Sequence, residues 1–216
     1  MKKLVLLSDV SINNPALVSR IRELLSTRPF KLAYVPSKTD KERRYFAKGK
    51  QELERLGVSD FLYFDVDQEF DERKLEEFKR CDGIFLSGGN TFSFLKILQE
   101  RNMLTLIKKM ALEGKPLIGV SAGSIIMTMS IKIAAFLDEN EVKLDDLHGL
   151  ELVGFEFVPH WGDPEVNPEK LLEYSALNDE RIYLCNDGDG IVIDNGNIEI
   201  YGELQQIRNG HRKKAL

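Results

Sequence analysis

Short apolar runs alternate with amphipathic stretches over the first 130 residues, and this alternation restricts the fold more than any other feature. Runs of four or five apolar residues are typical of buried strands, and the stretches between them repeat apolar residues at helical spacing. Because strand–helix–strand units set consecutive strands parallel, the pattern predicts a three-layer α/β fold with a mostly parallel, doubly wound sheet. The predicted strands are Lys3–Leu7, Lys31–Val35, Phe61–Phe64, Gly83–Leu86 and Pro116–Val120, and the predicted helices are Pro15–Leu25, Lys41–Leu56, Glu72–Lys79, Phe92–Glu100 and Leu104–Glu113.

The pattern changes after residue 130 to that of an antiparallel extension. It predicts a strand over Leu150–Val158, a helix over Pro168–Leu177 and a short strand over Ile182–Leu184. Asn195-Gly196 stands between two alternating β-branched runs, which predicts a β-hairpin, since both residues tolerate the positive φ of a type I′ turn. The polar residues 208–216 are predicted to be a frayed end. We expect residues 1–216 to form one domain.

The composition excludes several classes of protein. Thirty basic and 35 acidic residues give a net charge of −5, which leaves no broad basic surface for nucleic acid. The apolar runs are too short to span a bilayer, and Ser8-Asp9 ends the first of them too early for a signal peptide. Cys81 and Cys185 have no metal or redox spacing, so we expect a cytoplasmic protein without nucleic-acid or membrane partners.

The sharpest candidate for a reactive site is Gly119-Val120-Ser121-Ala122-Gly123. This G-x-S-x-G follows a predicted strand and precedes the helical run Ala122–Met129, which is the context of a nucleophile elbow. The helix N-terminus behind the serine favours negative charge. The alternative is a Gly/Ser-rich turn selected only for close packing.

A second candidate is the loop Ser87-Gly88-Gly89-Asn90-Thr91, directly after the strand Gly83–Leu86. Its glycines leave backbone amides free to hold a phosphate, or to supply one donor of an oxyanion hole with Ala122 as the other. Ligands of open α/β sheets bind at the carboxyl ends of strands, where both candidates fall. Taken alone, a Gly-Gly pair after a strand is more often a simple turn.

The general base can be sought among only three histidines. His148 lies in an acidic, loop-like segment and His211 in a basic tail. His160 leaves an apolar run beside the chain's only Trp, which favours a position at a strand-end site over that of a packed or capping histidine.

A base histidine needs an orienting carboxylate, and the residues by themselves leave Asp138, Glu139, Glu141 and Asp163 open. Two further acidic clusters, Asp65-Val66-Asp67 and Asp187-Gly188-Asp189-Gly190, lack the ligand count and spacing of a calcium loop. They are interpreted as turns or solvated faces, and no metal site is predicted.

Three motifs together resemble the dipeptidase E family, the α-aspartyl dipeptidase group of serine peptidases, which is related to cyanophycinase. They are Ser-Gly-Gly-Asn-Thr-Phe at 87–92, Gly-Val-Ser-Ala-Gly-Ser at 119–124 and Pro-His at 159–160. The resemblance implies a flavodoxin-like fold similar to that of the class I glutamine amidotransferases, which carry cysteine at the elbow where this chain has serine.

By this resemblance Ser121 is the nucleophile and His160 the base. Gly89 and Ala122 supply backbone oxyanion donors, with Gly88 and Asn90 beside the site. The family's third residue is an aspartate between nucleophile and histidine, which implies Asp138 here, with Glu139 and Asp163 as the alternatives.

One departure from the family concerns the substrate. Its Gly-His-x-Gly-Glu-Thr-Arg-like segment is replaced by Asp163–Lys170, and only Glu180-Arg181-Ile182 echoes its end. Arg181 is therefore the best-matching cation for a substrate carboxylate, unless it is a surface residue that caps a helix. The chain is similar to a divergent branch of the family, with weak or absent preference for N-terminal Asp.

These observations predict a serine peptidase that hydrolyses dipeptides or other short peptides, as a monomer or homodimer, with no metal or organic cofactor. One alternative is a non-catalytic protein that binds a phosphate or carboxylate on the same fold. The other is an esterase.

Overall fold

The computed structural model describes residues 1–25, 29–164, 166–178 and 180–215, which form two β-sheets with helices packed around them. The strands are β1 (Lys3–Leu7), β2 (Lys31–Val35), β3 (Asp60–Tyr63), β4 (Gly83–Leu86), β5 (Leu117–Val120), β6 (Glu156–Val158), β7 (Ile182–Leu184), β8 (Gly190–Asp194), β9 (Asn197–Tyr201), β10 (Gln205–Arg208) and β11 (His211–Lys214). The main sheet has the order β3-β2-β4-β5-β1-β8-β9, and the smaller sheet has the order β11-β10-β7-β6. All pairs from β3 to β1 are parallel, whereas β8 and β9 pair antiparallel.

The helices are α1 (Pro15–Leu24), α2 (Arg44–Arg55), α3 (Leu75–Arg80), α4 (Thr91–Glu100), α5 (Met103–Leu112), α6 (Ala122–Ile126) and α7 (Pro168–Leu177). Asparagine caps start three of them, because a side-chain oxygen at this position accepts otherwise unpaired first-turn amides. Asn14 Oδ1 accepts from Ala16 N at 3.0 Å, and Asn167 and Asn90 start α7 and α4 in the same way. Within the described ranges, no helix is long and apolar enough to cross a membrane.

Successive side chains along the strands of the main sheet point to opposite faces and pack into two separate apolar cores, one on each face. Along β1, Leu4 and Leu6 join one core while Val5 and Leu7 join the other. The second core contains buried residues of α1 and α2, and the first contains those of α3 to α6 and of the smaller sheet. The predicted three-layer α/β fold with a mostly parallel sheet is confirmed. So is the predicted Asn195-Gly196 hairpin, whose turn residues have φ of 53° and 90°.

The predicted long strand Leu150–Val158 is wrong over its first six residues. Only β6 is a strand, because the amides of Leu150 and Leu152 donate to Ile126 and Met127 at the end of α6 instead of to a sheet. The predicted helical run Ala122–Met129 is likewise shorter than expected and ends with Ile126.

The predicted frayed end at 208–216 is wrong for the residues that the structure describes. β11 pairs antiparallel with β10 across a second Asn-Gly turn, Asn209-Gly210, whose φ values of 51° and 71° are positive at both residues. Ile207 of β10 is buried. Asn209-Gly210 is a turn sequence of the same kind as Asn195-Gly196. The strand after it was not predicted because β11 consists of charged and polar residues without an apolar pattern.

Candidate active site

Two serines meet at the carboxyl ends of the central strands. Ser121 follows β5 and Ser8 follows β1, and these strands are parallel neighbours in which Leu7 lies opposite Val120. The Ser121 amide extends this pairing by donating to the Leu7 carbonyl at 2.9 Å. Both side chains therefore lie at the strand edge where ligands of open α/β sheets bind.

Ser121 occupies a sharp turn between β5 and α6, with φ of 50° and ψ of −112°. A non-glycine residue rarely adopts positive φ, and such strained conformations concentrate at functional sites. The turn requires close packing behind it: a Cβ atom on Gly123 would lie 2.2 Å from the Leu86 carbonyl oxygen. This is the geometry that the G-x-S-x-G pattern predicted for a nucleophile elbow.

A continuous hydrogen-bond chain joins Ser121, His160 and Asp187. His160 Nε2 lies 2.9 Å from Ser121 Oγ, and His160 Nδ1 lies 2.8 Å from Asp187 Oδ1. With the ring proton on Nδ1 donated to the carboxylate, Nε2 is left to accept the serine hydroxyl. The arrangement can remove the serine proton as the oxygen attacks an electrophile.

The smaller sheet brings His160 and Asp187 together. β6 and β7 are parallel and paired with Val158 opposite Leu184. Residues that follow the two strands therefore remain neighbours, and the Trp161 amide donates to the Cys185 carbonyl at 3.0 Å. His160 has a φ of 55°, a second positive value at this edge.

Ser8 binds both the histidine and its carboxylate partner. Its hydroxyl donates to Asp187 Oδ1 at 2.6 Å and accepts the His160 backbone amide at 2.7 Å. The side chain is buried, so the serine holds the smaller sheet's two loops against the end of β1.

The prediction that Asp138 orients His160 is wrong. Asp138 Oδ2 accepts the backbone amide of Thr91 at 2.9 Å and its hydroxyl at 2.6 Å. A carboxylate at this position stabilises the first turn of α4, where amides lack intrahelical acceptors. The alternatives Glu139 and Asp163 do not take the place either, since the ring nitrogen is bonded to Asp187.

The loop after β4 orients one backbone amide through its preceding carbonyl. Gly88 O accepts from Ser37 Oγ at 2.7 Å and from Ser87 Oγ at 3.1 Å. Because a trans peptide directs its C=O and N–H to opposite sides, the Gly89 amide points away from these serines. Gly89 has φ of 143°, and a Cβ atom there would lie 2.1 Å from Ser37 Oγ. The amides of Gly89 and Ala122 have no hydrogen-bond acceptor among the described residues.

Two cavities open beside Ser121, one on each face of the main sheet. The first has a volume of about 370 Å³ and lies over Tyr34, Phe46 and Phe85, which belong to the core of the α1 and α2 face. The second has a volume of about 300 Å³ and is lined by Phe136 and Val166 of the opposite core. Ser121, His160 and Gly89 line both.

Two predicted substrate contacts are not found at the site. Arg181 precedes β7, whereas Asp187 follows it, so the guanidinium lies at the far end of the strand, beside a separate cavity with Lys2 and Gly196. The prediction that Arg181 lies near Ser121 is therefore wrong. The Asn90 side chain caps α4 and donates to the Glu139 carbonyl at 2.9 Å, and it lines neither cavity beside Ser121.

Cys185 and the other two histidines lie outside the hydrogen-bond chain of Ser121, His160 and Asp187. Cys185 is fully buried beside the site, and burial raises the pKa of its thiol well above the usual range, so it stays protonated. His148 bonds Asp146, and His211 lies exposed on β11. No group of three His, Cys, Asp or Glu residues in the described part of the chain is arranged to hold a metal ion.

Asp187 and Ser8 are the site residues that the sequence did not predict. Asp187 belongs to the cluster that was interpreted as a turn, although it follows a predicted strand by three residues. The rule that ligands bind at strand ends applied to it as well as to Ser121. Applying this rule to Asp187 requires the pairing of β6 with β7 to be known, and the local sequence does not reveal that pairing.

The chain has a parallel sheet with a serine on a strand-to-helix elbow, and this serine is hydrogen-bonded to a histidine that is bonded in turn to a carboxylate. These features are those of α/β proteins with hydrolase-like sites. Comparison with known proteins gives the family. The sequence profile of peptidase family S51 matches residues 4–201, and the chain belongs to this family.

Individual relatives agree with this assignment. Peptidase E of Shewanella denitrificans is 34 % identical over 105 residues, which cover 45 % of this chain and 44 % of that protein, so the match spans less than half of its length. Peptidase E of a Nostoc species is 27 % identical over 93 % of this chain and 86 % of its own. A Listeria monocytogenes EGD-e crystal structure assigned as a peptidase E superposes with a TM-score of 0.74 and 26 % identity, over 96 % of this chain and 98 % of that one.

Proposed function

We propose that the chain is a serine peptidase that hydrolyses dipeptides or other short peptides. The observation that carries the proposal is the pair of hydrogen bonds from His160 to Ser121 Oγ (2.9 Å) and to Asp187 Oδ1 (2.8 Å). Membership in peptidase family S51 supports it.

In this mechanism Ser121 Oγ attacks the scissile carbonyl while His160 Nε2 takes its proton. The C–N bond then breaks, His160 returns the proton to the leaving amine, and an acyl-serine remains. A water molecule, deprotonated by the same nitrogen, then attacks the acyl carbon. The ester bond to Ser121 Oγ breaks, His160 returns the proton to Oγ, and the acid is released. Asp187 stabilises the imidazolium and keeps the ring oriented throughout.

The developing oxyanion would lie between the amides of Gly89 and Ala122. Both lack acceptors among the described residues, and the second belongs to the first turn of α6. Each such donor contributes about 3 kcal/mol of transition-state stabilisation in comparable hydrolases.

The size of the two cavities favours short peptides. Volumes of about 370 and 300 Å³ fall at the lower end of the range of about 300–1,000 Å³ for small-ligand pockets. We therefore expect dipeptides to be hydrolysed better than proteins.

The first prediction is that a fluorophosphonate labels the protein at Ser121 and that Ser121→Ala abolishes both labelling and peptide hydrolysis. His160→Ala should reduce turnover to a similar extent, by about 10⁴-fold or more, because the two residues act as a unit. His211→Ala is the matched control, since its side chain is exposed on β11, and it should leave both readouts unchanged.

Two outcomes would contradict the proposal. A protein that neither reacts with the fluorophosphonate nor cleaves any dipeptide would be a binder on the same fold. Labelling together with hydrolysis of p-nitrophenyl esters but of no peptide would identify an esterase.

A further inference from the structure

The two cavities beside Ser121 differ in volume and in the charged and aromatic side chains that line them, and they lie on opposite faces of the main sheet. Because Ser121 lines both cavities, a peptide whose scissile carbonyl lies at Ser121 can place one end in each. The difference between the cavities can therefore fix which end of a peptide goes where.

The larger cavity is built from aromatic rings. Tyr34 stacks on Phe85 at 4.9 Å between ring centroids and meets the edge of Phe46 at the same distance. Both tyrosines of β2 and β3, Tyr34 and Tyr63, line the cavity, and Gly49 of α2 leaves room above the Tyr34 ring. Such a surface favours a large apolar or aromatic side chain.

Two lysines stand at the exposed end of this aromatic cavity. Lys38 and Lys48 line it, and neither makes an ion pair within the described ranges. Two carboxylates, Asp9 and Asp40, line the same cavity, and each accepts a backbone amide of its own loop: Asp40 Oδ2 from Tyr45 at 2.9 Å and Asp9 Oδ2 from Ser11 at 3.3 Å. The lysine ammonium groups are the donors available to an incoming carboxylate.

The smaller cavity is acidic. Asp138 and Asp163 line it together with Phe136 and Leu137, and the described residues of its lining include no lysine or arginine. The two hydrogen bonds at Asp138 both fall on Oδ2. This cavity suits an ammonium group and disfavours a carboxylate.

We propose that the aromatic cavity receives the C-terminal residue of the peptide, with Lys38 and Lys48 binding its free carboxylate, while the acidic cavity receives the N-terminal residue with its free ammonium group. This inference deepens the proposed function and rests on it. It names the substrate class as short peptides that have both ends free and a large apolar residue after the scissile bond. The leaving group is then the apolar C-terminal amino acid.

Four substrates test the assignment: Ala-Phe, Ala-Gly, Phe-Ala and the amide Ala-Phe-NH₂. We expect kcat/KM for Ala-Phe to exceed that for Ala-Gly by about tenfold or more, because the phenyl ring enters the aromatic cavity. Ala-Phe should also exceed Phe-Ala. Amidation removes the carboxylate charge and should lower kcat/KM by about fivefold.

Replacing the lysines isolates the carboxylate contact. In Lys38→Met/Lys48→Met the ratio of kcat/KM for Ala-Phe over Ala-Phe-NH₂ should fall to about one. Lys50→Met is the matched control: it lies on the same helix as Lys48, pairs with Glu54 at 3.6 Å and lines neither cavity. It should keep the ratio of the unmodified protein.

Binding to the Ser121→Ala protein separates this inference from the proposed function. Calorimetry with Ala-Phe and Ala-Phe-NH₂ should show the same preference for the free carboxylate without any turnover. Two results would overturn the assignment of the cavities while supporting the proposed peptidase function. In both, the fluorophosphonate labels Ser121; in the first, kcat/KM for Phe-Ala exceeds that for Ala-Phe, and in the second, amidation does not change kcat/KM. A protein that no fluorophosphonate labels would overturn both.

Discussion

Asp187 Oδ1 accepts two hydrogen bonds, one from the Ser8 hydroxyl and one from the His160 ring. The carboxylate is 59 % exposed, so solvent screens its charge and weakens a purely electrostatic effect on the ring. The carboxylate acts mainly by orienting the His160 ring, because it accepts the Nδ1 proton and so selects the tautomer in which unprotonated Nε2 faces Ser121.

We predict that Asp187→Asn lowers kcat by about 10⁴-fold with little change in KM, because the amide favours the wrong tautomer of His160. Asp138→Asn should keep kcat within about tenfold, since an amide oxygen can still accept from Thr91. Steady-state kinetics on one dipeptide ranks the two variants. The reverse order would return the orienting role to Asp138.

Glu156 is a buried carboxyl group on β6 that receives the Tyr174 hydroxyl at 2.6 Å. Burial raises the pKa of Glu156 from 4.5 to about 7 in spite of this bond. The folded protein therefore favours the protonated form. The protonated carboxyl of Glu156 therefore contributes fully to the stability of the folded protein below about pH 4.5, and this contribution is lost as the pH rises through about 7.

Glu156→Gln should accordingly raise the free energy of unfolding at pH 8.5, by at most about 3 kcal/mol, and leave it little changed at pH 4.5. Urea unfolding at several pH values measures this. Glu203→Gln serves as the control, because the side chain of Glu203 is 85 % exposed and its replacement should not alter the profile. An unchanged pH dependence in Glu156→Gln would show that the carboxyl is ionised in the folded protein.

At the scale of elements, the unit that decides the site is the β5–Ser121–α6 turn. The helix approaches β4 closely behind Ser121, and the carbonyl of Leu86 occupies the space that a side chain on Gly123 would need. Close packing, the alternative interpretation of the G-x-S-x-G pattern, is present here together with a half-buried serine. The packing is what positions the serine.

Gly123→Ala should therefore lower the free energy of unfolding by about 1–3 kcal/mol, as expected for overpacking, and should also displace Ser121. Gly154→Ala is the matched control, since a Cβ atom there meets nothing within 4 Å. Thermal or urea unfolding compares the two. Equal stability would mean that β4 and α6 separate at little cost.

At the scale of the whole molecule, the site joins the two sheets. Ser8, Gly89 and Ser121 come from strand ends of the main sheet, and His160 and Asp187 come from strand ends of the smaller one. The apolar side chains that line the two cavities belong to separate cores, one on each face of the main sheet. The described lining of the acidic cavity contains no lysine or arginine, and Arg181 lies elsewhere.

We therefore predict weak or absent selectivity for N-terminal Asp: kcat/KM for Asp-Leu should not exceed that for Ala-Leu by more than about tenfold. A carboxylate side chain in the acidic cavity would lie near Asp138 and Asp163 without a cationic partner. A preference above about a hundredfold, or about 2.7 kcal/mol, would require a cation that the described lining lacks.

The sequence by itself determined the elements that depend on local pattern. Five strands of the main sheet follow from apolar runs, the hairpin at Asn195-Gly196 from its turn residues, and the elbow at Ser121 from small residues between strand and helix. Each of these signals acts within about ten residues of chain, where periodicity and turn chemistry are strongest.

Only the tertiary structure decided how distant segments combine. Asp187 rather than Asp138 faces His160 because β6 and β7 pair in parallel with Val158 opposite Leu184, a register between segments 26 residues apart. Ser8 joins them because β1 lies beside β5, more than a hundred residues away along the chain. Such pairings depend on complementary burial across whole layers of the fold. The local sequence does not distinguish the carboxylates that could orient His160, and only the packing of the layers determines which of them reaches the ring.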